Sequence, residues 1–532
     1  MVDVSQAWLE AHQQTLLPEM HIEITCKVTE PGIHDEAVTS ANNEAYFATT
    51  DEITNGLTKN GDKYGTLELG NWGLDDSYDY LSDSVDDVGF VSEVVSDGDC
   101  KFTTVPTITI NFAEMRLIRI PGITITWGKA HNEWATAFRV TVWGGNTQIA
   151  QKEVTNNGDV KSVVEMPMEY YDKITIEILS WCLPNHRARC EDIILGLANI
   201  FTKSDLMQFT HSQSADLLSA ALPKNQITFS LRNDKNQWNP DNPTGVEQYL
   251  LERQEVELRY GLKLGKSIEW IDGGVFWLSE WSTPSNGITT SFTARDLLEF
   301  MDEEYTGILT GTLFDIAEAA FAQADLPVLG DGSQRYFVHP SLKDYTTTME
   351  TGYLLSEVLQ MVAHAGNCVM YQNRQGVMRI EPWDETYSGY QIEPKVSFNH
   401  PEYTMNKPLR AVSVGYGEDQ RVVVAGGNNG NVQTVDNPLL RTEADALRVA
   451  NRTVEVLSKR KVLSGEYRAD VRMDVLDPII VTSKYASNII AVTDVEYSTS
   501  GGTMRGRYTG RVVSIHLEPE LRYAGEFYAG EV

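Results

Sequence analysis

The sequence predicts a mainly β protein with an additional α+β portion. Apolar and polar residues alternate over 227–232 and 256–260, which is the period of strands with one buried face. Several short strands separated by turn residues lie between 107 and 179, as is typical of a β-sandwich. After residue 305, two segments repeat apolar residues at the spacing of helices. A chain of 532 residues with these patterns is expected to hold about three to four domains.

The N-terminal segment is predicted to form one helix and one strand. Residues 5–17 have a helical pattern with Ser5 as the N-cap, and a proline follows the last turn. Residues 21–28 alternate as a strand, and Pro31 breaks the pattern.

The region 32–200 is rich in predicted strands. They cover 107–110, 123–127, 137–143 and 173–179. Gly144-Gly145 marks the turn of one hairpin. Many short strands at regular spacing predict a β-sandwich here.

Residues 222–298 contain four further predicted strands. They cover 222–231, 254–261, 273–278 and 290–296. The intervening runs 233–234 and 239–243 consist of Asn, Asp and Pro, which suit turns and do not fit a central strand. On the strand pattern alone, any antiparallel barrel or sandwich satisfies this region.

The pattern changes to mixed helix and strand after residue 305. Thr312 is the predicted cap of a helix, with Asp315 three residues on. A second helix is predicted near 352–365, and a hairpin over 368–380. Two helices against a hairpin make a small α+β domain.

The last region, 396–532, again favours strands with one helix. Strands are predicted over 412–416 and 421–424, before a helix capped by Thr442. The expected buried stripe of this helix is Leu447, Ala450, Val454 and Leu457.

The order of strands and turns over 222–298 resembles the first barrel of bacteriophage tail hub and tail-associated proteins. The run Asn437-Pro438-Leu439-Leu440 before a helix, followed by 477–481 and 501–506, resembles the second barrel of the same family. The resemblance implies two hub-type β-barrels around a small α+β domain. The implied limits are 1–31 and 201–304 for the first barrel, 305–395 for the α+β domain and 396–532 for the second barrel with its helix.

Two motifs between the halves of the first barrel resemble another family. Residues 64–75 and 184–196 are similar to the opening and the last strand of discoidin-like (coagulation factor 5/8 type C) jelly rolls. The resemblance covers most of 60–197. It identifies 32–200 as an inserted β-sandwich (jelly roll), of a kind that occurs in tail proteins of phages of Gram-positive bacteria.

Composition excludes several classes of protein. With 75 acidic and 43 basic residues the net charge is -32, which argues against specific binding of nucleic acid. Most acidic surfaces only keep a protein soluble, but a negative channel would also let DNA pass without sticking. No apolar run reaches the roughly 20 residues of a membrane span, and the N-terminus does not resemble a signal peptide.

The five cysteines include no CxxC pair, so neither zinc nor another metal is expected. Cys182 and Cys190 flank a loop. They can form a disulfide, and a reduced buried pair fits a cytosolic protein at least as well.

No enzyme signature is present. The sequence contains no G-x-S-x-G, P-loop or H-E-x-x-H motif, so no catalytic residue and no cofactor are expected. Adjacent carboxylates are numerous, as chance predicts in so acidic a chain. Many tail-associated proteins carry a peptidoglycan hydrolase after the second barrel, and this chain is expected to leave no room for one.

The jelly roll contains the candidate ligand site. Sugar binding usually needs an exposed aromatic ring and planar polar side chains. The loop 127–134 supplies candidates of both kinds, namely Trp127, Asn132, Glu133 and Trp134. The family-like motifs add Trp72 and Arg187. In the alternative interpretation, the tryptophans at 72 and 127 belong to the core, the arginine braces a turn, and the module is a spacer or an inter-subunit contact.

The resemblance implies a structural baseplate hub or tail tip protein in the virion of a tailed phage, made in the host bacterial cytoplasm. The expected assembly is a homotrimer that connects the tail tube to the tip and closes the DNA channel until adsorption. The expected partners are a hexameric distal tail or tail tube protein, the tape measure protein and, if the jelly roll binds sugar, host cell-wall glycan. The alternative is a host-surface glycan-binding adhesin that acts through the jelly roll.

Overall fold

The protein is described by a computed structural model. It describes residues 2–14, 19–30, 32–54, 68, 89–242, 245–284, 287–329, 332–387, 389–417, 419, 421–427, 431–483, 486–500 and 503–516. The predicted class, mainly β with an α+β portion, is confirmed. The predicted opening motif of the jelly roll, 64–75, lies outside the described residues apart from Glu68.

The helices and strands of the described residues have the following bounds. The helices are α1 (Gln6–Gln13), α2 (Ile33–Glu36), α3 (Leu313–Gln323), α4 (Leu355–Ala365) and α5 (Glu443–Ser458). The first strands are β1 (Met20–Thr29), β2 (Ala37–Ala41), β3 (Phe90–Val95), β4 (Thr107–Arg116), β5 (Ile120–Trp127), β6 (Ala135–Gly144), β7 (Thr147–Val154), β8 (Lys161–Met168), β9 (Tyr171–Trp181) and β10 (Arg187–Ile194).

The remaining strands continue in chain order. The next are β11 (Gly196–Thr202), β12 (Leu206–Ser214), β13 (Lys224–Arg232), β14 (Glu255–Leu264), β15 (Ser267–Ser282), β16 (Thr289–Arg295), β17 (Thr310–Thr312), β18 (Tyr336–Val338), β19 (Thr346–Thr348) and β20 (Val369–Gln372). The last are β21 (Met378–Glu381), β22 (Gln391–Ile392), β23 (Glu402–Met405), β24 (Leu409–Tyr416), β25 (Arg421–Gly426), β26 (Asn431–Val435), β27 (Lys461–Arg468), β28 (Pro478–Thr482), β29 (Ser487–Ser500) and β30 (Thr503–His516).

One large sheet contains the strands of both predicted barrels. Its order is β11-β1-β14-β15-β16-β13-β12-β29-β30-β27-β23, with β28 on β29 and β22 on β28. Strands β11 and β12 lie at opposite ends of the first seven strands, although only a short turn, 203–205, separates them in the chain. The first seven strands therefore curl towards closure, and no ladder joins β11 to β12 in the described residues.

Strand β12 belongs to both halves of this sheet. It pairs with β13 on one side and with β29 on the other, where Thr210 lies opposite Ser498 and Ser214 opposite Asp494. A single hydrophobic core runs under both halves and contains residues from Trp8 to Val512. The predicted alternation is confirmed in β13, whose apolar residues are buried while their neighbours are not.

The predicted sandwich lies between two neighbouring strands of that sheet. Strands β1 and β11 are antiparallel, and Thr29 at the end of β1 lies opposite Gly196 at the start of β11. The intervening chain forms a five-stranded sheet, β2-β4-β9-β6-β7, and a four-stranded sheet, β3-β10-β5-β8. A separate core fills the space between them, from Ile33 to Leu195. The exact domain limits stay a prediction.

Helices α3 and α4 pack with the hairpin β20–β21, as the sequence predicts for the α+β region. The Thr312 side chain accepts from the backbone N–H of Asp315, which caps α3. The same core includes α5 and the small sheet β25-β24-β26. The predicted stripe of α5 is wrong in part, because Leu447 is exposed. The buried residues are Ala446, Val449, Ala450, Thr453 and Val456.

Candidate functional site

The candidate loop joins β5, which ends at Trp127, to β6, which begins at Ala135. Just before β5, Arg119 Nη1 donates to Gln248 Oε1 (3.3 Å). The β9–β10 turn lies next to the loop, because Cys182 N donates to Trp134 O (3.0 Å).

Trp127 is a core residue of the sandwich. Its side chain is fully buried, and its Nε1 donates to Ser162 Oγ (2.8 Å). Its ring meets those of Phe138 and Trp181 edge to face. The expected exposed indole is therefore absent at this position, since strand alternation points Trp127 between the two sheets.

Glu133 is also buried, beneath the loop. Trp181 Nε1 donates to its Oε2 (2.8 Å), and His186 Nδ1 lies 2.8 Å from its Oε1. Arg189 Nη1 lies 3.6 Å from Oε2. This carboxylate satisfies buried donors, so it has no free oxygen to present to a sugar at the surface, and the expected role is corrected.

A second carboxylate completes a buried charge cluster. Both terminal nitrogens of Arg189 donate to Glu68, at 2.9 and 2.8 Å. The Arg187 backbone N–H donates to the same carboxylate (2.7 Å). The Arg187 side chain donates to the carbonyl oxygens of Ser92 and Glu93, at 2.7 and 2.6 Å. The Arg187 side chain thus braces the neighbouring strand β3, whereas the alternative interpretation of the sequence expects it to brace a turn.

The remaining candidates are at or near the surface. Asn132 is exposed in a left-handed turn, with φ of 54°. Trp134 is half-buried, and its backbone N–H donates to Cys182 Sγ (3.3 Å). Trp72 lies outside the described residues. The structure therefore leaves Asn132 and Trp134 as the accessible part of the predicted site, and glycan binding by this loop stays a prediction.

A hydrogen bond from the loop to β10 fixes the conformation of the loop. Glu191 Oε1 accepts from the Ala130 backbone N–H (3.0 Å), and burial raises the pKa of Glu191. Burial also raises the pKa of Cys182, so its thiol stays protonated and unreactive at neutral pH. All five cysteines are free, and Cys190 is buried in the sandwich core. A fixed polar loop of this kind can present hydrogen-bonding groups, but it contains no activated nucleophile.

Two features of the sandwich were not predicted from the sequence. One is the buried ion pair of Glu68 and Arg189. Its only trace in the sequence is the charged Arg189 within a strand that contains apolar residues. The other is Tyr46, whose side chain is 82% exposed, beside Phe47. The guanidinium of Arg187 lies over the Phe47 ring at 5.8 Å and fixes that aromatic pair against the sandwich.

No protein-family model matches the sequence, and no curated protein matches it either. Among solved structures, the chain is similar to the 43 kDa tail protein of prophage MuSo2 from Shewanella oneidensis. The identity is 10% over 60% of this chain and 97% of that protein, with a TM-score of 0.42. It is also similar to a tail protein from Neisseria meningitidis MC58, with 10% identity over 59% and 94% of the two chains and a TM-score of 0.40.

A discoidin is also among the similar solved structures. Discoidin II from Dictyostelium discoideum is similar to this chain with 10% identity, over 50% of this chain and 99% of that one, at a TM-score of 0.19. Tail proteins and a discoidin, the two kinds of protein that the sequence resembles, are thus among the solved structures to which the chain is similar. None of the helices in the described part of the chain is long and apolar enough to cross a membrane.

Proposed function

We propose that this protein is a structural subunit of a phage tail, located in the baseplate hub or tail tip of the virion. In this proposal three copies form a ring that connects the tail tube to the tip and closes the DNA channel until adsorption. The partners are a hexameric distal tail or tail tube protein on one side and the tape measure protein inside the tube. The chain has a mechanical role in this assembly and catalyses no reaction.

One observation carries the proposal, namely the order in which the chain builds its sheets. The first half of the large sheet is interrupted after Thr29 by a complete sandwich and resumes at Gly196, directly beside the strand that it left. The α+β region follows, and β27–β30 then extend the same sheet through β12. This is the order that the family resemblance implies over most of the sequence.

The proposed ring of three copies is supported by the two sheet halves that each subunit contains. Each copy has two halves of one sheet, joined through β12, so three copies present six such units. Six similar units in a ring match a hexameric partner better than three do. The net charge of -32 supports a channel along which DNA passes without specific contacts.

The test is the oligomeric state of the purified full-length protein and its place in the particle. Light scattering at micromolar concentration should give three times the mass of one chain, and electron microscopy of the native particle should locate the chain at the tail tip. A monomer that stays monomeric when the tail partners are added contradicts the ring. A location on the side fibres or the capsid contradicts the hub.

A host-surface adhesin is the second candidate, and one observation favours it. In the loop 128–134, Asn132 is exposed and Trp134 is half-buried. An adhesin predicts that residues 30–195 alone bind host wall polysaccharide, as measured by calorimetry. A hub subunit requires no such binding, and the burial of Trp127 and Glu133 reduces the polar and aromatic surface that this loop offers.

A further inference from the structure

The small sheet β25-β24-β26 has one covered face and one exposed face. Helix α5 and the neighbouring core cover the side that carries Val412 and Val414, which are fully buried. On the opposite side, Val422, Val424 and Val432 are between 54% and 59% exposed. The pairing of Val424 with Ser413, and of Val432 with Ala411, places the three side chains on one face of the sheet. These three residues are named the valine face.

Positive charge flanks the valine face, although the protein as a whole is strongly acidic. Lys407 lines a cleft of about 330 Å³ together with Val432. Arg410 lies next to Ala411, which pairs with Val432, at the irregular register of β24, and the exposed Asp436 carboxylate lies near Gly415 of the same strand. Both cations are exposed, and neither forms an ion pair with any residue that the structure describes. Apolar side chains next to unpaired cations make a surface that favours an acidic, partly apolar partner.

A surface with the opposite character borders the same core at other segments of the chain. The segments 302–309 and 349–354 run side by side, because Met349 N donates to Leu309 O (2.8 Å) and Glu304 bridges to Leu354. Their exposed apolar residues, which we name the leucine face, are Ile308, Leu309 and Leu354. Glu303 and Glu304 are exposed beside them and have no cationic partner among the described residues.

We propose that the valine face of one copy binds the leucine face of the next copy. This inference rests on the proposed ring and names its contact surfaces. Two copies that each carry a charge of -32 repel one another, so they associate best where a local positive surface meets a negative one. Because the two faces differ, the contact is head to tail, and such contacts form a ring when the rotation closes.

The test is a charge swap in the full-length chain, read by light scattering at physiological salt. The variant Lys407→Glu/Arg410→Glu should weaken ring assembly at least about tenfold, which is about 1.4 kcal/mol. The variant Glu303→Lys/Glu304→Lys should weaken it equally. A chain that carries all four changes restores the opposite charges across the contact and should assemble again.

A matched control carries the same change of charge at a different place. Lys235→Glu/Lys266→Glu changes two exposed lysines of the first half of the large sheet, outside both faces, and should leave assembly unchanged. Each variant is checked for folding by circular dichroism. All six positions are exposed, so the variants are expected to fold.

The outcomes separate this inference from the proposed function. A monomeric wild type contradicts the ring and therefore the inference as well. A wild-type ring that survives both double variants leaves the ring standing and overturns the contact. If each double variant dissociates but the fourfold variant does not reassemble, the faces do not bind one another, and the inference is overturned in that case too.

Discussion

The inserted sandwich and the large sheet build their cores from different extents of the chain. The core of the sandwich uses residues from one continuous stretch, Ile33 to Leu195. The core of the large sheet draws on residues from Trp8 to Val512, so it needs both ends of the chain. The sandwich can therefore fold from local contacts, whereas the large sheet cannot form before most of the chain is present.

The two regions also differ in where they bury polar groups. The sandwich buries Glu133 and Arg189 beneath a loop. The large sheet buries His211 near its centre, between Tyr260 and Asn225, next to Arg374 where several segments meet. Loss of a polar partner should thus weaken one region locally and the other as a whole.

The largest expected effect is that of Arg374→Ala on the large sheet. Arg374 donates to the carboxylate of Asp474 at 2.9 and 2.8 Å and to three backbone carbonyls, and it is buried. Its removal leaves those acceptors without a donor and should cost about 3–5 kcal/mol. Calorimetry should show a lower melting transition for the large sheet and an unchanged one for the sandwich.

Arg379→Ala is the matched control, because its pair with Glu381 is only half-buried and should contribute about 0–1 kcal/mol. An Arg374→Ala variant that lowers both transitions equally would show that the two regions do not fold independently.

The next effect concerns pH and His211. Burial lowers the pKa of His211 to about 4, below its ordinary value near 6.5. A lowered pKa means that the stability from the neutral ring is present above pH 6.5 and is lost as the pH falls towards 4. The loss is about 3 kcal/mol at roughly 1.4 kcal/mol per pH unit.

The measurement is the free energy of unfolding between pH 7 and 4 for wild type and His211→Gln. Burial raises the pKa of Asp296 to about 7, so its titration changes the stability in the opposite direction over the same pH range. This effect is present in both proteins, so the difference between their profiles isolates the contribution of His211. Parallel pH profiles for the two proteins would contradict a neutral buried His211.

Trp134→Ala should have a smaller effect, on binding. If the loop binds host glycan, loss of one aromatic contact should cost about 1–2 kcal/mol, roughly tenfold in affinity. Calorimetry with host wall polysaccharide compares the wild type with the variant, and circular dichroism checks folding because Trp134 is half-buried. Equal binding by both removes Trp134 from the site, and no binding by either leaves the module a spacer or a subunit contact.

The smallest expected effect is that of removing the sandwich. Thr29 and Gly196 are paired neighbours, so a two-residue Asn-Gly turn can replace residues 30–195. The large sheet should lose about 1 kcal/mol, chiefly the hydrogen bond from Ala198 N to Thr124 Oγ1 (3.2 Å) and its surroundings. Insoluble protein after the excision, together with an unfolded 30–195 fragment, would contradict independent folding.

Helix caps and strand alternation could be predicted because they depend on residues that are close together in the sequence. Ser5, Thr312 and Thr442 cap their helices as the sequence predicts. Alternation placed the buried residues of β13 correctly, since one of its faces packs on the core. In β15 alternation failed as a guide, because Phe276 enters the core of the large sheet while Trp277 enters that of the α+β region. A strand buried on both faces has no alternation to detect.

The candidate site was less predictable, for a related reason. A loop that contains Trp, Asn and Glu has the composition of a sugar site, but composition does not reveal which side chains point inward. Trp127 ends a strand whose alternation already directs it inward, and this signal was present in the sequence. For Glu133 no such signal existed, because its partners His186 and Arg189 are distant from it in the sequence.

The position of β12 determines how force passes through the molecule. Its five residue pairs with β29 are the backbone ladder that joins the two halves of the large sheet. A pull along the strands loads these hydrogen bonds in shear, so they resist together, whereas a pull across the strands opens them one after another. A load applied along β12 therefore moves both halves of the large sheet together, and a load applied across β12 separates them at low force.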